Sequence, residues 1–297
     1  MPRAMVLCAG HGTRLRPLTL ERPKPLLPFG DRTLLEHVLA SLDETLRPAL
    51  VNAHHLAEVL LEFSKSCADV SQVLVEHEIL GTAGGVRGAL AVLGPAPVLV
   101  TNGDVLARVD GVALLSSAPE QGLSLAVAPR PLGSGTVGIG SAGEIVRLRG
   151  ERFGVEVSSG DYLGTMALGA GALARLPRAG CLIGDLTLPL LRDGAPVVTF
   201  GVAGRWFEPG DGIAQYLDEH LGWLEERFGS RDASFVGAGA KVEPAVTLVS
   251  SVIGAGARVT GEGTLDRVVV WPGASVRAPL RAAVVTTAGT VVPSPNP

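Results

Sequence analysis

The chain has 297 residues, of which 46% are hydrophobic and 18% are charged, and its formal net charge is −4. This length suffices for one large domain or for one domain with a small appendage, and the weak acidic charge excludes a general field that would attract nucleic acid or an anionic membrane. Cys8, Cys67 and Cys181 are far apart and form neither a disulfide framework nor a zinc spacing, which predicts a reducing compartment, the cytoplasm.

The N-terminal half alternates short apolar runs with stretches of helical spacing. The first run, 4–9, is too short for a signal peptide, and no stretch reaches transmembrane length, so we expect no membrane partner. The predicted elements, in chain order, are strand 4–9, helix 33–46, strand 49–54, helix 56–65, strand 71–76, helix 84–93 and strand 97–102. This alternation predicts an α/β fold with a Rossmann-like mixed, mostly parallel sheet covered by helices. Because ligands of such sheets bind beyond the carboxyl ends of the strands, we expect loop 9–24 and Gly103–Asp104 to face one crevice.

The pattern shifts from residue 123 onward. A hairpin is predicted at 137–150 with Gly143 in its turn. Further helices are predicted near 170–176, 186–193 and 212–228.

After Gly229 the chain is rich in Gly, Ala and Val and has no helical stripe. Apolar residues recur six positions apart, at Val236, Val242 and Leu248, then at Val259 and Leu265, then at Val270 and Val276. Such hexads predict a parallel β-helix, with one apolar residue for each flat side, in preference to a loose β-tail or a disordered extension. We therefore predict a first domain over 1–228, a β-helix over 229–292 and a disordered tail over 293–297. The apolar tail also offers a face for forming a homo-oligomer.

The segment 9–24 combines glycines with cations. The P-loop pattern is absent, and the dinucleotide-binding pattern lacks its third glycine, because Leu15 stands there. The observed pattern is G-x-G-T-R followed by P-K-P. Gly10 and Gly12 let backbone N–H groups approach a phosphate, Arg14 can bind phosphate oxygens with its fork of donors, and the flanking prolines fix the position of Lys24. This arrangement favours a phosphate-binding loop over a solvated surface loop.

Longer motifs extend this pattern. LCAGHGTRLRPLT (7–19), followed by PKPLLP (23–28), resembles the signature of sugar-1-phosphate nucleotidyltransferases, the nucleotide-sugar pyrophosphorylases. Other segments resemble the same family in the same order: EHEILGTAGGV (76–86), VLVTNGD (98–104), DYLGTMAL (161–168), WFEPGDGIAQYL (206–217) and VVVWPGASV (268–276). The resemblance covers nearly the whole chain. It implies that 1–228 is a catalytic domain with a GT-A-type nucleotidyltransferase fold, followed by a short, hexapeptide-like, left-handed β-helix.

The resemblance also implies a reaction, in which an NTP and a sugar 1-phosphate give an NDP-sugar and pyrophosphate. Arg14, Lys24 and Asp104 are the implied catalytic residues. Arg14 would hold the β- and γ-phosphates, and Lys24 would hold the α-phosphate and the sugar phosphate. The implied nucleotide-binding residues are Leu7, Ala9, Gly10, Gly12, Thr13, Arg14, Glu78, Thr82 and Gly84. The implied sugar-phosphate-binding residues are Lys24, Gly103, Gly164 and Arg152, of which Arg152 is one residue out of step with the family pattern.

The implied cofactor is Mg²⁺, which binds through one or two carboxylates and through substrate phosphates. Asp104 is the first expected ligand. Glu208 stands where the family usually has Asp, and it is the second expected ligand. Asp211 competes for that role, and a site without a second protein ligand is the remaining alternative.

The substrates are less closely specified than the reaction. The N-G-D and G-T-A-G-G motifs resemble mannose-1-phosphate guanylyltransferases, which favours GTP and mannose 1-phosphate in a pathway of polysaccharide or glycan precursors. They also resemble N-acetylmuramate-1-phosphate uridylyltransferases, so UTP or dTTP with another hexose 1-phosphate (glucose, N-acetylglucosamine or N-acetylmuramic acid) is the alternative. Because Arg14, Lys24 and Asp104 are all present, an enzyme is favoured over an inactive regulatory paralogue that binds nucleotide sugars. The tail is too short, and contains no histidine, for an acyltransferase domain.

Overall fold

The computed structural model describes residues 3–295. Its strands, in chain order, are β1 (Ala4–Leu7), β2 (Pro28–Phe29), β3 (Arg32–Thr33), β4 (Ala49–Ala53), β5 (Val70–Val75), β6 (Val98–Asn102), β7 (Leu123–Arg130), β8 (Val137–Ile139), β9 (Ile145–Leu148), β10 (Glu151–Arg152), β11 (Ser158–Leu168), β12 (Val197–Gly201), β13 (Phe235–Val236), β14 (Lys241–Val242), β15 (Val246–Val249), β16 (Val252–Ile253), β17 (Arg258–Val270), β18 (Ser275–Val285) and β19 (Val291–Pro293). Its α-helices are α1 (Leu18–Glu21), α2 (Leu34–Ser41), α3 (Ala57–Ser64), α4 (Gly81–Ala89), α5 (Gly111–Ser117), α6 (Ala170–Ala174), α7 (Leu188–Arg192) and α8 (Ile213–Phe228). Shorter helical turns occur at Thr13–Leu15, Lys24–Leu26, Glu44–Leu46 and Leu182–Thr187.

The chain divides into two compact units. The first unit contains the residues before His11 together with Val38–Trp206, and the second contains His11–His37 together with the residues from Phe207 onward. This division differs from the predicted boundary at 228/229, because the segment 11–37 and helix α8 group with the tail.

The first unit is built on a mixed sheet, as predicted. Its strands follow the order β10-β9-β8-β11-β6-β1-β4-β5, and β7 and β12 extend it from β11. The run from β6 through β1 and β4 to β5 is parallel, whereas β11 is antiparallel to β6. The predicted hairpin is confirmed, because β8 and β9 pair antiparallel and Gly143 has a positive φ of 82° in the turn.

The core of this sheet explains the apolar runs in the sequence. Met5, Leu50, Val100 and Met166 are neighbours across β4, β1, β6 and β11, and each is at most 1% exposed. Strands covered on both faces need continuous apolar sequence, and β1 (AMVL) and β4 (ALVNA) have it. Asn52, which is polar yet only 3% exposed, is an exception near the end of β4.

The tail of the second unit consists of stacked parallel strands. Lys241 pairs with Arg258, and Arg258 pairs with Ser275, so the strands repeat every 17 residues, close to the 18 of three hexads. Val259 and Leu265 are fully buried at their hexad positions, whereas Val236, on the first strand, is 46% exposed. The last strand, β19, turns back and pairs antiparallel with β18.

The predicted terminal tail, 293–297, begins inside an ordered strand. Pro293 belongs to β19, and the backbone N–H of Ser294 donates to the carbonyl oxygen of Ala282 at 2.7 Å. Residues 296 and 297 lie outside the described residues. No helix among residues 3–295 is long and apolar enough to cross a membrane.

Candidate active site

In the first unit, the ends of β1 and β6 meet closely. The backbone N–H of Gly103 donates to the carbonyl oxygen of Leu7 at 3.0 Å. A Cβ placed on Gly103 would lie only 2.6 Å from the Sγ of Cys8, so only glycine fits where the two strands end. Leu7, Ala9 and Gly103, three of the predicted site residues, are therefore neighbours of these two strand ends.

Asp104 follows at the same strand end and is partly buried. Burial, and secondly the negative charge of Asp104, raise the pKa of the buried Cys8 thiol well above its usual range. The Asp104 carboxylate is therefore close enough to influence Cys8, the residue just before the glycine loop, by which we mean segment 9–24. Cys8 stays a neutral thiol and adds no competing charge beside Asp104.

A pair of polar residues, Asn52 and Glu76, fixes this loop and was missed by the sequence analysis. The side chain of Asn52 accepts a hydrogen bond from the Cys8 backbone N–H at 2.7 Å and donates to the Glu76 carboxylate at 2.6 Å. The other carboxylate oxygen of Glu76 accepts from the Leu80 backbone N–H, just before α4. One chain of hydrogen bonds thus links the glycine loop to the start of α4. A polar residue within the apolar run of β4 was the available signal.

The predicted residues around α4 have clear structural partners. The hydroxyl oxygen of Thr82 accepts a hydrogen bond from the Leu182 backbone N–H at 2.8 Å. A Cβ placed on Gly84 would lie 2.7 Å from the Arg178 carbonyl oxygen, so close packing alone requires glycine there. Glu78 is exposed.

Gly164 and Arg152 lie on β11 and β10. Gly164 has a positive φ of 67°, and a Cβ placed on it would lie 2.6 Å from the side-chain nitrogen of Asn102. The need to avoid a clash with Asn102 is therefore sufficient to explain why residue 164 is glycine, whether or not a ligand binds there. The Arg152 side chain is 71% exposed and lies 4.0 Å from the Glu156 carboxylate.

In the second unit, Gly12 lies close to Thr19 and Lys24, within the segment that is predicted to bind phosphate. Gly12 has a positive φ of 60°, and its carbonyl oxygen accepts a hydrogen bond from the Thr19 hydroxyl at 2.9 Å. A Cβ placed on Gly12 would lie 2.8 Å from the Cγ2 of Thr19 and 3.1 Å from the Cβ of Lys24. Gly12 is therefore packed directly against Lys24, and Thr13 and Arg14 form the helical turn that follows it.

Lys24 and Arg14 both contact the turn at residues 208–211. Lys24 stands between two buried prolines, and a Cβ placed on Gly210 would collide with its Nζ atom. An Nη atom of Arg14 lies 2.7 Å from the Asp211 carboxylate in an exposed ion pair. Glu208 is exposed, and its carbonyl oxygen accepts from the Gly210 N–H at 2.7 Å. The second unit thus gathers Gly12, Arg14, Lys24 and Glu208.

Carboxylates are the metal ligands that the sequence predicts, at Asp104 and at Glu208 or Asp211. Residues 3–295 contain no group of three or more His, Cys, Asp or Glu side chains that could hold a metal ion. Mg²⁺ needs only one or two carboxylates, because it takes its remaining ligands from water and from substrate phosphates. Asp104 lies in the first unit and Glu208 in the second, and Asp211 forms an ion pair with Arg14.

Known proteins resemble this chain over part of its length. An N-acetylmuramate alpha-1-phosphate uridylyltransferase of Caulobacter vibrioides is 38% identical over 123 residues, which are 37% of this chain and 51% of the relative. A mannose-1-phosphate guanylyltransferase catalytic subunit beta of Drosophila pseudoobscura pseudoobscura is 40% identical over 111 residues, 35% of this chain and 30% of the relative. A probable mannose-1-phosphate guanylyltransferase 3 of Oryza sativa subsp. japonica is 27% identical over 234 residues, 73% of this chain and 65% of the relative. The matched part thus spans between 30% and 65% of these relatives.

The fold also matches a solved structure, HddC from Yersinia pseudotuberculosis. The TM-score is 0.60 at 17% identity, and the match covers 75% of this chain and 100% of HddC. Residues 3–148 match the model of the nucleotidyl transferase family. This stretch contains segment 9–24, the sequence of helix α4 and Asp104, so the resemblance noted in the sequence is confirmed over residues 3–148. Residues 3–148, just under half of the chain, are thus similar to the nucleotidyl transferase family.

Proposed function

We propose that this protein transfers a nucleoside monophosphate from an NTP to a sugar 1-phosphate and releases pyrophosphate, with GTP and mannose 1-phosphate as the favoured substrates. The observation that carries the proposal is the group formed by Gly12, Arg14 and Lys24. A tight glycine turn and two cations lie together in one segment of a nucleotidyl transferase sequence. The inferred anion is a nucleoside triphosphate.

The reaction needs charge neutralisation more than proton transfer. An oxygen of the sugar phosphate attacks the α-phosphorus, and the bond from that phosphorus to the bridging oxygen of pyrophosphate breaks. Both the nucleophile and the leaving group are already ionised at neutral pH, so no general base is required. Catalysis of this kind rests on positioning and on cations that face the developing charge.

The proposed roles of the cations follow from their surroundings. Lys24 is held between two prolines and packed against Gly12, so it is the fixed charge, and we assign it to the α-phosphate and the sugar phosphate. Arg14 is exposed and paired with Asp211, so it can exchange that carboxylate for the β- and γ-phosphates. Backbone N–H groups at Gly10 and Gly12 are assigned to the nucleotide.

We assign the metal to Asp104 and Glu208. When bound, Mg²⁺ neutralises phosphate charge and orients the triphosphate. The neighbouring Cys8 thiol stays neutral, because burial raises its pKa, and so it adds no second negative charge beside Asp104.

A second pair of substrates is supported by a specific similarity. The Caulobacter relative, which is named an N-acetylmuramate alpha-1-phosphate uridylyltransferase, is 38% identical over its matched stretch. UTP with N-acetylmuramic acid 1-phosphate is therefore the alternative to GTP with mannose 1-phosphate. Glu78, Thr82 and Gly84 are assigned to the nucleotide in either case, and Gly103, Gly164 and Arg152 to the sugar phosphate.

We also propose that the stacked strands after Gly229 wind as a left-handed β-helix. The 17-residue repeat and the buried hexad positions Val259 and Leu265 support parallel coils of this type. The cytoplasm, where nucleoside triphosphates are abundant, is the proposed place of action. A homo-oligomer stays a prediction.

A matrix of substrates tests the function. Purified protein with Mg²⁺ is given each of GTP, UTP, dTTP, CTP and ATP with each of mannose, glucose, N-acetylglucosamine and N-acetylmuramic acid 1-phosphates, and pyrophosphate release is measured. We expect one dominant pair, GTP with mannose 1-phosphate. No release from any pair, in protein shown to be folded, would favour a regulatory nucleotide-sugar-binding protein instead.

A further inference from the structure

The segment that carries Arg14 and Lys24 is attached to the far end of the sequence. Between these two cations, Glu21 and Arg22 are consecutive residues, and both contact the turn at residues 286–290. This turn joins β18 to β19 at the end of the stacked strands. No sequence pattern connects residues that are 265 positions apart.

Glu21 is held by two hydroxyl groups of this turn. Its Oε1 atom accepts hydrogen bonds from the Thr286 hydroxyl at 2.7 Å and from the Thr290 hydroxyl at 3.1 Å. Thr286 is fully buried, and its hydroxyl oxygen also accepts from the Thr290 backbone N–H at 3.2 Å. Both threonines therefore belong to a turn that is stabilised by its own hydrogen bond, and both of their hydroxyl groups donate to the same oxygen of Glu21.

Arg22 provides a second attachment. Its guanidinium lies over the ring of the fully buried Trp271, 5.4 Å from the ring centroid. It also donates to the Thr287 hydroxyl at 3.3 Å, and that hydroxyl in turn donates to the Pro272 carbonyl oxygen. Arg22 is thus fixed by a ring face and by a hydroxyl of the same turn that binds Glu21.

The path from this attachment to the cations is short and stiff. Lys24 is three residues after Glu21, and Pro23 and Pro25 on either side of it are buried and restricted in φ. In the other direction, helix α1 leads back to Thr19, whose hydroxyl is bonded to the Gly12 carbonyl oxygen. A displacement of Glu21 would therefore move both Lys24 and the glycine turn.

We propose that the turn at residues 286–290 is a positioning element for the phosphate-binding segment. Thr286 and Thr290, acting through Glu21, and Trp271, acting through Arg22, hold Arg14 and Lys24 in place. These are positioning residues, because each acts through another residue of the segment. The consequence for catalysis rests on the proposed nucleotidyl transfer, whereas the attachment itself can be measured without it.

The test removes the two hydroxyls and keeps the shape of the side chains. The variant is Thr286→Val with Thr290→Val, and Glu21→Gln removes the charge from the other side of the contact. The matched control is Thr260→Val, because Thr260 donates to the Val276 carbonyl oxygen elsewhere in the same stack of strands. Thr286→Ser with Thr290→Ser keeps both hydroxyls and serves as the rescue variant.

Trypsin gives a readout that needs no activity. It cuts after Lys and Arg but not before proline, and Arg16, Arg22 and Lys24 all precede proline. Within residues 11–31, the bond it can cut is therefore Arg14–Leu15. Leu15 is fully buried, so cleavage requires the segment to open locally.

We expect the double valine variant to be cut after Arg14 about tenfold faster than wild type, since two hydrogen bonds to a carboxylate are lost. We also expect its kcat to fall about tenfold with a smaller change in KM for the sugar 1-phosphate. Glu21→Gln should shift both quantities in the same direction. The serine variant and Thr260→Val should stay close to wild type.

An unchanged cleavage rate, or a raised rate with an unchanged kcat, would overturn the proposal. If the double valine variant does not fold, the same comparison in Glu21→Gln decides, because that change leaves the tail sequence intact. If wild type shows no transferase activity, the proposed function fails, and the cleavage rate alone then supports or overturns the attachment.

Discussion

Lys24 is the side chain on which the proposed chemistry depends most. The chain contains only three lysines, at 24, 65 and 241. Lys65 forms an exposed ion pair with Glu62, and Lys241 is exposed on β14. Lys24 alone of the three lies between prolines and against two glycines, Gly12 and Gly210. Such a setting fixes where an ammonium group points, which a phosphate site requires and a solvated surface does not.

Replacing Lys24 by alanine should therefore affect turnover more than stability. We expect Lys24→Ala to lower kcat by about 100-fold or more, as removal of a fixed charge from a developing anion does. The free energy of unfolding should change by less than about 1 kcal/mol. Pyrophosphate release and thermal denaturation measure the two effects, and Lys241→Ala is the control. A Lys24→Ala protein that unfolds yet keeps normal activity per folded molecule would remove Lys24 from the site.

Glu208 is the proposed metal ligand that departs from the family pattern. Glu208→Gln keeps the size of the side chain but removes its charge, so we expect the Mg²⁺ concentration for half-maximal rate to rise about tenfold. A titration of activity with Mg²⁺ measures this concentration. If the Mg²⁺ dependence is unchanged, Glu208 does not bind the metal.

For Asp211 we expect a mutation to change NTP binding and not the Mg²⁺ dependence. Its exposed ion pair with Arg14 must break when Arg14 binds phosphate, and exposed pairs contribute at most about 1 kcal/mol. We therefore expect Asp211→Asn to lower KM for the NTP by up to about fivefold and to leave the Mg²⁺ dependence unchanged. Steady-state kinetics across NTP and Mg²⁺ concentrations separate the two residues. A raised Mg²⁺ requirement in Asp211→Asn would make Asp211 the metal ligand.

Among the secondary-structure elements, the hairpin of β8 and β9 is joined by an ion pair to the segment that precedes β11. Arg147 donates two hydrogen bonds, both of 2.9 Å, to the two oxygens of Glu156, and it also donates to the carbonyl oxygens of Ser134 and Gly135. The Ser159 hydroxyl donates to the same carboxylate at 2.6 Å. The Glu156 side chain is only 6% exposed, so this pair is well shielded from water.

This ion pair should make stability depend on pH. Hydrogen bonding by Arg147, and then by Ser159, lowers the pKa of Glu156 from 4.5 to about 2. The pair therefore stabilises the fold fully above pH 4.5, and this contribution is lost as the pH falls from 4.5 towards 2. We expect Glu156→Gln to be less stable than wild type at pH 7, with the difference shrinking at pH values below 4.5. Denaturant unfolding at several pH values measures this, and a difference that does not depend on pH would contradict it.

The elements that sequence predicts well are those with local signals. The strands of the first unit follow from short apolar runs, and the hairpin follows from Gly143 between two such runs. Helix α4 begins at Gly81, three residues before the predicted start, because glycine-rich sequence carries no helical signal. The link from Cys8 through Asn52 to Glu76 and the contact of Glu21 with Thr286 join distant positions. No local spacing encodes them, so sequence alone could not supply them.

At the level of the entire chain, segment 11–37, which includes the proposed phosphate-binding residues, forms one unit with the residues from Phe207 onward, although more than 160 residues separate the two stretches in sequence. The change in amino-acid composition near residue 229 predicts a domain boundary at 228/229. Contacts such as Tyr216 with Pro28 and Glu21 with Thr286 instead group 11–37 with the C-terminal residues. The candidate residues of segment 11–37 come from motifs in the sequence, but the grouping of this segment with the C-terminal residues does not.

Nucleotide binding should stabilise the whole protein. A ligand that binds only the native state at 100 times its Kd contributes about 2.7 kcal/mol. We expect a non-reacting NTP analogue with Mg²⁺ to raise Tm, and Lys24→Ala to lose most of this rise. Differential scanning fluorimetry at fixed protein concentration measures both. An equal rise in Lys24→Ala and wild type would place the nucleotide away from the glycine segment.

The fate of labelled phosphates tests the proposed reaction most directly. The protein is incubated with Mg²⁺, a sugar 1-phosphate and GTP that carries a radiolabel at either the α- or the γ-phosphate, and the products are separated. We predict that the α-label appears in a sugar nucleotide and the γ-label in pyrophosphate, with neither in inorganic phosphate, or the same pattern with UTP if the alternative substrates are correct. Label that stays in the NTP with every sugar 1-phosphate, or that appears as GMP and free phosphate, would contradict nucleotidyl transfer.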